Sequence, residues 1–164
     1  PAHATNSFPG NETEVVYEEG ILVGYRWFDT KNITPMFPFG FGLSYTTFEY
    51  GDAALNKTSF ASTDEIEVKV PVTNTGDVSG KETVQVYVRK SNSAVERPDK
   101  ELKGFTKVEV QSGQTAEACI NFDVQDLAYF DESTMSWKVE SGEYEILIGS
   151  SSRDIQESVK ITIK

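Results

Sequence analysis

The sequence has one histidine and one cysteine, and this scarcity limits the chemistry open to its 164 residues. Nucleophilic catalysis by a Ser–His or Cys–His pair needs a histidine beside the nucleophile, but His3 lies in a terminus rich in Pro, Asn and Ser. A zinc site needs several His and Cys ligands at short spacing, and His3 and Cys119 are far apart in the chain. A single cysteine also excludes an internal disulfide. We predict that His3 is not catalytic and that Cys119, on one strand face with Glu117, is an unreactive thiol.

Basic residues are also few, since 15 Lys and Arg stand against 26 Asp and Glu and leave a net charge of −11. Such a balance repels phosphate backbones and anionic lipids, which argues against nucleic-acid and membrane partners. No run approaches the roughly 18 apolar residues of a membrane-spanning helix. The first residues, PAHATNSFPG, have neither the basic nor the apolar region of a signal peptide. The length corresponds to about one domain, which can bury a core without a metal or disulfide.

Three glycosylation triplets point to a different compartment from the rest of the composition. An acidic chain without disulfides is typical of the cytosol. Asn11-Glu12-Thr13, Asn32-Ile33-Thr34 and Asn56-Lys57-Thr58, however, all fit the Asn-x-Ser/Thr pattern without a central proline. Single triplets occur by chance, whereas three within the first 60 residues favour a secreted eukaryotic protein. The predicted glycan acceptors are Asn11, Asn32 and Asn56.

Residues 46–164 alternate between apolar and polar positions, as half-buried strands do. Val84, Val86 and Val88, for example, are predicted to face the core, and Tyr87 falls on the polar face between them. The predicted strands are Thr46–Tyr50, Glu65–Val72, Thr83–Arg89, Leu102–Val110, Ala116–Phe122, Tyr144–Ile148 and Val159–Ile163. About seven short strands separated by turns rich in Gly, Asn and Ser predict an all-β fold, an antiparallel two-sheet sandwich.

Two details refine this prediction. Tyr144 follows a glycine turn and begins a strand, where the hydroxyl of a tyrosine corner would bond back to the preceding backbone. An ordinary core aromatic fits the same position equally well. Between residues 46 and 164, helical spacing is limited to Val124, Leu127 and Ala128, which is enough for a single turn.

Residues 1–45, which we call the N-terminal segment, differ in kind from the rest. They hold four of the six prolines and show no extended alternation. Residues 25–50 contain nine aromatic side chains out of 2 Trp, 7 Tyr and 10 Phe in the whole chain. So dense an apolar stretch must pack on something, whether its own sandwich, a second copy or a hydrophobic surface. We expect it to fold back over the sandwich, because an intramolecular contact avoids the entropy cost of association.

Cofactor and catalytic motifs are missing from the sequence. Gly40-Phe41-Gly42 lacks the lysine and the following helix of a phosphate loop, and no Asp-x-Asx-x-Asx-Gly calcium loop occurs. The neighbouring carboxylates at turns or strand ends are Glu18/Glu19, Asp64/Glu65 and Asp131/Glu132. Solvated pairs are common at such places, so these carboxylates are weak candidates for glycoside hydrolysis. We therefore predict no catalytic residue, no metal and no cofactor.

Several strings of the sequence resemble the C-terminal part of glycoside hydrolase family 3, of the fungal β-glucosidase type. The most specific is FPFGFGLSY at residues 37–45, which follows YEEGILVGYRWFD at residues 17–29. The similarity continues through VQVYV at 84–88 and KELKGF at 100–105 and ends with GEY at 142–144 and GSS at 149–151. It covers nearly the whole chain.

The resemblance implies a module and not a complete enzyme. Members of that family have a barrel domain with a nucleophilic Asp in a Ser-Asp-Trp motif, an α/β sandwich domain with an acid/base Glu, and a fibronectin type III-like domain. This chain has no Ser-Asp-Trp string and no Lys-His pair for the sugar subsite. Residues 1–45 correspond to the tail of the α/β sandwich domain and a connector. Residues 46–164 correspond to the fibronectin type III-like, immunoglobulin-like sandwich.

We therefore expect a non-catalytic module of a secreted β-glucosidase, an enzyme that hydrolyses terminal β-D-glucosyl residues, with β-xylosidase as the alternative activity. Its partner would be the preceding α/β sandwich domain, which it would stabilise by packing. The candidate packing residues are Tyr25, Trp27, Phe28, Phe37, Phe39, Phe41 and Tyr45. A second hypothesis is weak adsorption to plant polysaccharide or lignin. Its candidate aromatic residues are Tyr87, Tyr129, Phe130 and Trp137.

Overall fold

The strands of the computed structural model, which describes residues 10–164, form two packed sheets and a small third one. In chain order they are β1 (Phe48–Tyr50), β2 (Ala54–Leu55), β3 (Ser59–Phe60), β4 (Glu65–Asn74), β5 (Gly80–Lys90), β6 (Glu101–Val110), β7 (Thr115–Asp123), β8 (Tyr129–Asp131), β9 (Ser136–Lys138), β10 (Gly142–Gly149) and β11 (Ile155–Ile163). In the first sheet β4 pairs with β1, β2 and β7. The second sheet has the order β3-β11-β10-β5-β6, and β8 and β9 form a separate hairpin.

The prediction of an all-β, two-sheet sandwich is confirmed. Each of the seven predicted strands corresponds to a strand of the structure, and all the pairings are antiparallel except the short parallel contact of β3 with β11. Four further strands, β2, β3, β8 and β9, were not predicted. Each has only two or three residues, which is too short to show an alternating pattern.

The core lies between the two main sheets and follows the alternation of the sequence. On β4, Val68 and Val70 are fully buried, and on β5, Val84 and Val86 are fully buried. The register places Val68 beside Ile120 on β7. The inward orientation predicted for the β5 valines is confirmed. Burial of each such side chain contributes about 1.5–3 kcal/mol to folding.

The outer face of β5 differs from the prediction, because it is also buried. Tyr87 is completely inaccessible and Gln85 is 4% exposed, although their alternation with the valines predicts a polar, solvated face. The N-terminal segment covers this face, as described below. Tyr87 was therefore wrongly placed among the exposed aromatic candidates for polymer binding.

Tyr144 at the start of β10 is both a core aromatic residue and a tyrosine corner, the two interpretations that the sequence allowed. Its ring is 2% exposed within the core, and its hydroxyl donates a hydrogen bond to the carbonyl of Glu140 at 2.8 Å. Burial raises the pKa of Tyr144 to about 12, so the hydroxyl keeps its proton. The bond back to the upstream backbone is the geometry of a tyrosine corner.

Two short helices complete the described part of the chain. A 3-10 helix at Val124–Leu127 buries Val124 and Leu127, as the single predicted turn requires. The α-helix α1 (Tyr25–Thr30) was not predicted, because six residues give too short a pattern. It begins after Gly24, whose φ of 66° suits a residue without a side chain. No helix of residues 10–164 is long and apolar enough to cross a membrane.

Candidate interdomain surface

The inner side of the N-terminal segment is attached to the outer face of the second sheet. Tyr25 on α1 stacks on Phe39 with a centroid distance of 4.7 Å and meets the ring of Tyr87 edge-on at 6.0 Å. The backbone N–H of Leu102 donates a hydrogen bond to the Tyr25 hydroxyl at 2.8 Å. Burial raises the pKa of Tyr25, so this hydroxyl stays protonated. The expected fold-back is therefore present for the described part of the segment, through Tyr25 and Phe39.

A buried cluster of charges fixes the same helix. The carboxylate of Asp29 is 2% exposed and lies 3.1 Å from the ammonium of Lys100, which is 7% exposed. The Nε of Arg153 donates to the other Asp29 oxygen at 2.5 Å. One nitrogen of the same guanidinium also donates to the carbonyls of Phe28 and Ile33, each at 2.9 Å. Removing one partner of such a cluster leaves a buried charge unpaired, which is costly. The cluster therefore favours a single position of α1 on the sandwich.

The cluster continues across the sheet through Asp99. The Asp99 carboxylate lies 2.8 Å from Arg89 on β5 and 3.2 Å from Lys100, and its backbone N–H donates to the Thr30 hydroxyl at 2.9 Å. Burial alone would raise the pKa of Asp99, but Arg89 and Lys100 together hold it below its usual range. Arg89 also pairs with Glu145 on β10 at 3.1 Å.

A second attachment holds the loop that follows α1. The buried Gln85 amide donates to the carbonyls of Ser150 and Gly40, and its oxygen accepts a hydrogen bond from Tyr87 at 2.6 Å. The Ser152 N–H donates to the Phe39 carbonyl at 2.8 Å. Gly40 has a φ of 84°, and a Cβ at this position would clash with the Gln85 side chain. These bonds satisfy a polar group that would otherwise be buried without partners.

By the outer side of the N-terminal segment we mean its solvent-exposed side chains, among which large apolar residues are numerous. Of the 17 exposed large hydrophobic residues of the described chain, 12 belong to residues 15–45. They are Val15, Val16, Tyr17, Ile21, Val23, Ile33, Met36, Phe37, Phe39, Phe41, Leu43 and Tyr45. Leu43 is 91% exposed and Tyr45 is fully exposed. So many apolar side chains on one short segment exceed what a soluble monomer usually leaves in water and indicate a contact surface.

The seven predicted packing residues divide between the two sides of this segment. Tyr25, Trp27 and Phe28 on α1 are half-buried, whereas Phe37 and Tyr45 are mainly exposed. Phe39 and Phe41 are about half exposed; Phe39 stacks on Tyr25, and Phe41 lies 5.2 Å from the Phe37 ring. Phe37, Phe41 and Tyr45 are therefore the members best placed to meet another domain.

The three glycosylation candidates are exposed, and the side-chain amides of two of them form hydrogen bonds within the chain. The Asn11 oxygen accepts hydrogen bonds from the N–H groups of Thr13 and Glu14. Asn56 continues the sheet edge beyond β2, since its amide donates to the Glu65 carbonyl and accepts from the Glu67 N–H. Asn32 follows α1 with a φ of 52°. Their occupancy stays a prediction.

Two of the weak candidates for catalysis, Asp64 and Asp131, take part in local structure. Asp64 accepts from the Ala61 N–H and pairs with Lys57 at 2.7 Å, and Asp131 accepts from Ser133 and Thr134. Among residues 10–164, no group of three or more His, Cys, Asp or Glu side chains could hold a metal ion. Cys119 is exposed with Glu67 3.9 Å from its sulfur, and His3 lies outside the described residues.

One groove brings together acidic groups that the sequence did not single out. It encloses about 700 Å³ between residues 38–46 and the second sheet, and its walls include Tyr50, Glu82 and Asp154. Burial and the charge of Asp154 raise the pKa of Glu82, although a hydrogen bond from the Tyr50 hydroxyl at 2.8 Å opposes the shift. Asp154 accepts hydrogen bonds from Ser150 and Gln156. Both carboxylates are thus engaged within the protein.

Sequence reasoning missed the charge cluster of Asp29, Lys100 and Arg153. Asp29 and Lys100 fall within the strings quoted for the resemblance, but nothing in a single sequence pairs residues so far apart in the chain. The available signal was an acidic residue directly after two aromatic residues, as Asp29 is after Trp27 and Phe28.

The comparisons with known proteins agree with this architecture. The family described as fibronectin type III-like domain matches residues 82–152. Thermostable beta-glucosidase B of Acetivibrio thermocellus is 49% identical over 157 residues, and the match covers 94% of this chain and 21% of that protein. An exo-alpha-(1->6)-L-arabinopyranosidase of Bifidobacterium breve is 47% identical over 158 residues, with 96% and 20% covered.

A solved structure gives the same result. The crystal structure of a GH3 beta-glucosidase from Bifidobacterium adolescentis superimposes with a TM-score of 0.89 at 45% identity, over 98% of this chain and 23% of that one. The chain spans about a fifth of the length of the curated relatives that it matches. It matches their C-terminal part. Residues 82–152 therefore belong to the fibronectin type III-like domain family, and nearly the whole chain is similar to the C-terminal part of family 3 β-glucosidases.

Proposed function

We propose that this chain is the non-catalytic C-terminal module of a longer, secreted family 3 β-glucosidase and stabilises the preceding domains by packing against them. The observation that carries the proposal is the two-sided N-terminal segment. Its inner side is attached to the sandwich through Asp29 and Tyr25, and its outer side presents 12 exposed hydrophobic residues. A segment that is fixed on one side and apolar on the other suits a rigid contact between two domains, because little entropy is lost when it docks.

The relatives favour a structural role over a role in choosing the substrate. Proteins named for β-glucosidase activity and for exo-α-(1→6)-L-arabinopyranosidase activity match this chain at 49% and 47% identity. Because proteins named for two different sugar specificities resemble this chain to a similar degree, the module is a poor candidate for the part that sets the specificity. We propose hydrolysis of terminal β-D-glucosyl residues as the parent activity, with β-xylosidase as the alternative.

The coding sequence upstream of Pro1 tests this parentage directly. It should encode a barrel domain with a Ser-Asp-Trp string, followed by an α/β sandwich domain. An upstream sequence without these features would overturn the assignment. Secretion is part of the proposal and rests on the exposed Asn11, Asn32 and Asn56. Peptide mass spectrometry of the enzyme from the culture medium of its host should find glycans there. An enzyme confined to the cells would contradict secretion.

The stabilising role requires a measurement on the full-length enzyme. We expect Phe37→Ala, at a side chain that is 64% exposed in this chain, to lower the midpoint of thermal inactivation by a few degrees. The matched control is Phe105→Ala on β6, which is 67% exposed and lies outside the N-terminal segment. Deleting residues 46–164 should lower the midpoint much further. A deletion that leaves the midpoint unchanged would exclude the stabilising role.

A further inference from the structure

The hairpin of β8 and β9 carries an aromatic pair that the proposed contact surface does not include. Phe130 is 43% exposed and Trp137 is 69% exposed, and their rings meet at 71° with centroids 5.5 Å apart. The hairpin pairs with neither main sheet. An isolated two-stranded hairpin has little stability of its own in water. The exposed aromatic rings on this hairpin do not pack within the sandwich and suggest a contact with a partner.

The turn of this hairpin is built to hold the two rings in place. The Asp131 carboxylate accepts hydrogen bonds from the Ser133 N–H at 3.0 Å and the Thr134 hydroxyl at 3.0 Å, and it pairs with Lys138. Met135 in the turn has a φ of 49°. These contacts fix the hairpin before any partner binds, and a surface fixed in advance loses less entropy when it docks.

A cleft of about 590 Å³ separates the hairpin from the N-terminal segment. Tyr129, Phe130 and Trp137 line one side, and Ile21 and Arg26 line the other. The cationic groups of the cleft are paired within the chain. Arg26 lies 3.4 Å from Glu101, and Arg97 lies 2.9 Å from Glu140 with its guanidinium over the Tyr129 ring. The cleft therefore offers a partner the aromatic rings and Ile21, together with the carboxylates of Glu96 and Glu132 in its lining.

Three occupants of this cleft can be compared. A polysaccharide stacks best on aromatic rings that share a plane, and Phe130 and Trp137 are nearly perpendicular. A second copy would bring another net charge of −11 close to the first. A preceding domain meets neither difficulty, and Ile21 belongs both to this cleft and to the exposed apolar side of the N-terminal segment. The cleft is thus continuous with the contact surface proposed above.

We propose that Phe130 and Trp137 form a second anchor for the preceding domain, which inserts apolar side chains into the cleft beside the hairpin. The proposal rests on the proposed function, because it requires a preceding domain. This chain matches about a fifth of each relative, and that domain would belong to the remaining part. The aromatic residues of the hairpin would then extend the contact surface of the N-terminal segment on that domain.

The test places Trp137→Ala in the full-length enzyme and in the isolated chain. In the enzyme the substitution should lower the midpoint of thermal inactivation by about 3 °C or more. In the isolated chain the unfolding midpoint should stay within about 1 °C, because the ring is already exposed. Phe105→Ala, at a residue of nearly the same exposure, should change neither midpoint. Amide exchange of residues 129–138 should be slower in the enzyme than in the isolated chain.

Several outcomes would overturn the anchor. Equal losses in the enzyme and in the isolated chain would make Trp137 an internal packing residue. No loss in the enzyme, together with a loss for Phe37→Ala, would refute the second anchor and leave the proposed function intact. Adsorption of the isolated chain to cellulose that Trp137→Ala abolishes would assign the pair to a polysaccharide. Dimers of the isolated chain that the same substitution dissociates would assign it to a second copy.

Discussion

Val86 is the residue whose replacement tests the sandwich core most directly. Its side chain is fully buried on β5, so Val86→Asp places a carboxylate among apolar neighbours without a partner. We expect the free energy of unfolding to fall by several kcal/mol, measured by urea unfolding. Val78→Asp is the matched control, because Val78 is 48% exposed and should lose less than about 0.5 kcal/mol. Equal midpoints for the two variants would refute the inward orientation of Val86.

Asp29 is the residue that fixes the N-terminal segment. Asp29→Asn removes the negative charge that lies next to the buried ammonium of Lys100. The loss of one partner of a buried ion pair costs about 3–5 kcal/mol. We expect about 3 kcal/mol, because Lys100 keeps Asp99 and Arg153 keeps two carbonyl acceptors. Glu109→Gln is the control, since the exposed pair of Glu109 with Lys81 contributes at most about 1 kcal/mol. Similar losses in the two variants would show that the cluster is not specifically stabilising.

Glu140 makes the stability of the chain depend on pH. Burial by itself would raise the pKa of Glu140, but Ser93, the Ala94 N–H and Arg97 hold it below the usual value. The folded chain then binds this proton less tightly than the unfolded chain. The stabilisation is complete above about pH 4.3, the ordinary pKa of glutamate, and is lost as the pH falls through the lower folded pKa.

The thermal unfolding midpoint of Glu140→Gln should therefore fall less between about pH 5 and pH 3 than that of the unmodified chain. Glu82→Gln supplies a control of opposite sign. Because the pKa of Glu82 is raised, its protonation in acid favours the folded chain. Without this carboxyl group, the thermal midpoint should fall more steeply as the pH is lowered. Identical pH profiles for the two variants would contradict this assignment of signs.

These residues also show what a sequence can and cannot predict. Val86 was placed in the core from its alternation with neighbours, because period two is a local property of a strand. Tyr87 has the opposite phase and should have been solvated, yet the N-terminal segment covers it. Whether a second layer lies over a sheet face depends on contacts between distant residues, such as Tyr25 with Leu102, which no local pattern encodes.

At the scale of elements, the attachment of the N-terminal segment predicts the effect of its removal. A chain that begins at Thr46 exposes Tyr87 and leaves the Gln85 amide without the Gly40 carbonyl. Burial of a large side chain contributes about 1.5–3 kcal/mol, so the truncated chain should unfold at a lower temperature than the full chain. Differential scanning calorimetry of the two chains measures this difference. Equal midpoints would mean that the segment does not stabilise the sandwich.

Light scattering and a lignin film complete that comparison. Both chains should be monomeric, because the inner aromatic side chains pack within the molecule and the negative net charge opposes association through the exposed apolar residues. Adsorption to lignin by the full chain, lost on truncation and with no change in midpoint, would instead make the segment a surface-binding element.

The elements that the sequence predicted are those with a repeated pattern of their own. Long strands such as β4 and β7 carry four or more alternating positions. Helix α1 and the hairpin of β8 and β9 are short and depend on fixed partners, such as Lys100 for Asp29 and Lys138 for Asp131. The aromatic composition of residues 25–50 predicted packing for α1, whereas the aromatic residues of the hairpin were considered only as candidates for polymer binding. The geometry of both elements follows from tertiary contacts.

For the whole molecule, the strongest prediction is that the purified chain hydrolyses no aryl β-glucoside. Glycoside hydrolysis needs two carboxyl groups placed on either side of the bond, one of them free to donate a proton to the leaving group. The groove with Glu82 and Asp154 has two carboxylates in its walls, and the pKa of one of them, Glu82, is raised. The resemblance to a catalytic pair is incomplete, because Tyr50, Ser150 and Gln156 already donate hydrogen bonds to these carboxylates.

Release of p-nitrophenol from its β-glucoside and β-xyloside measures this prediction, with the full-length enzyme as the positive control. Glu82→Gln and Asp154→Asn should behave like the unmodified chain, at the rate of a buffer blank. Activity that survives repurification and disappears in Glu82→Gln would turn the groove into an active site, and the chain could no longer be regarded as a structural module. Activity that both substitutions leave intact would point to a contaminating glycosidase, since the groove holds these carboxylates in its walls.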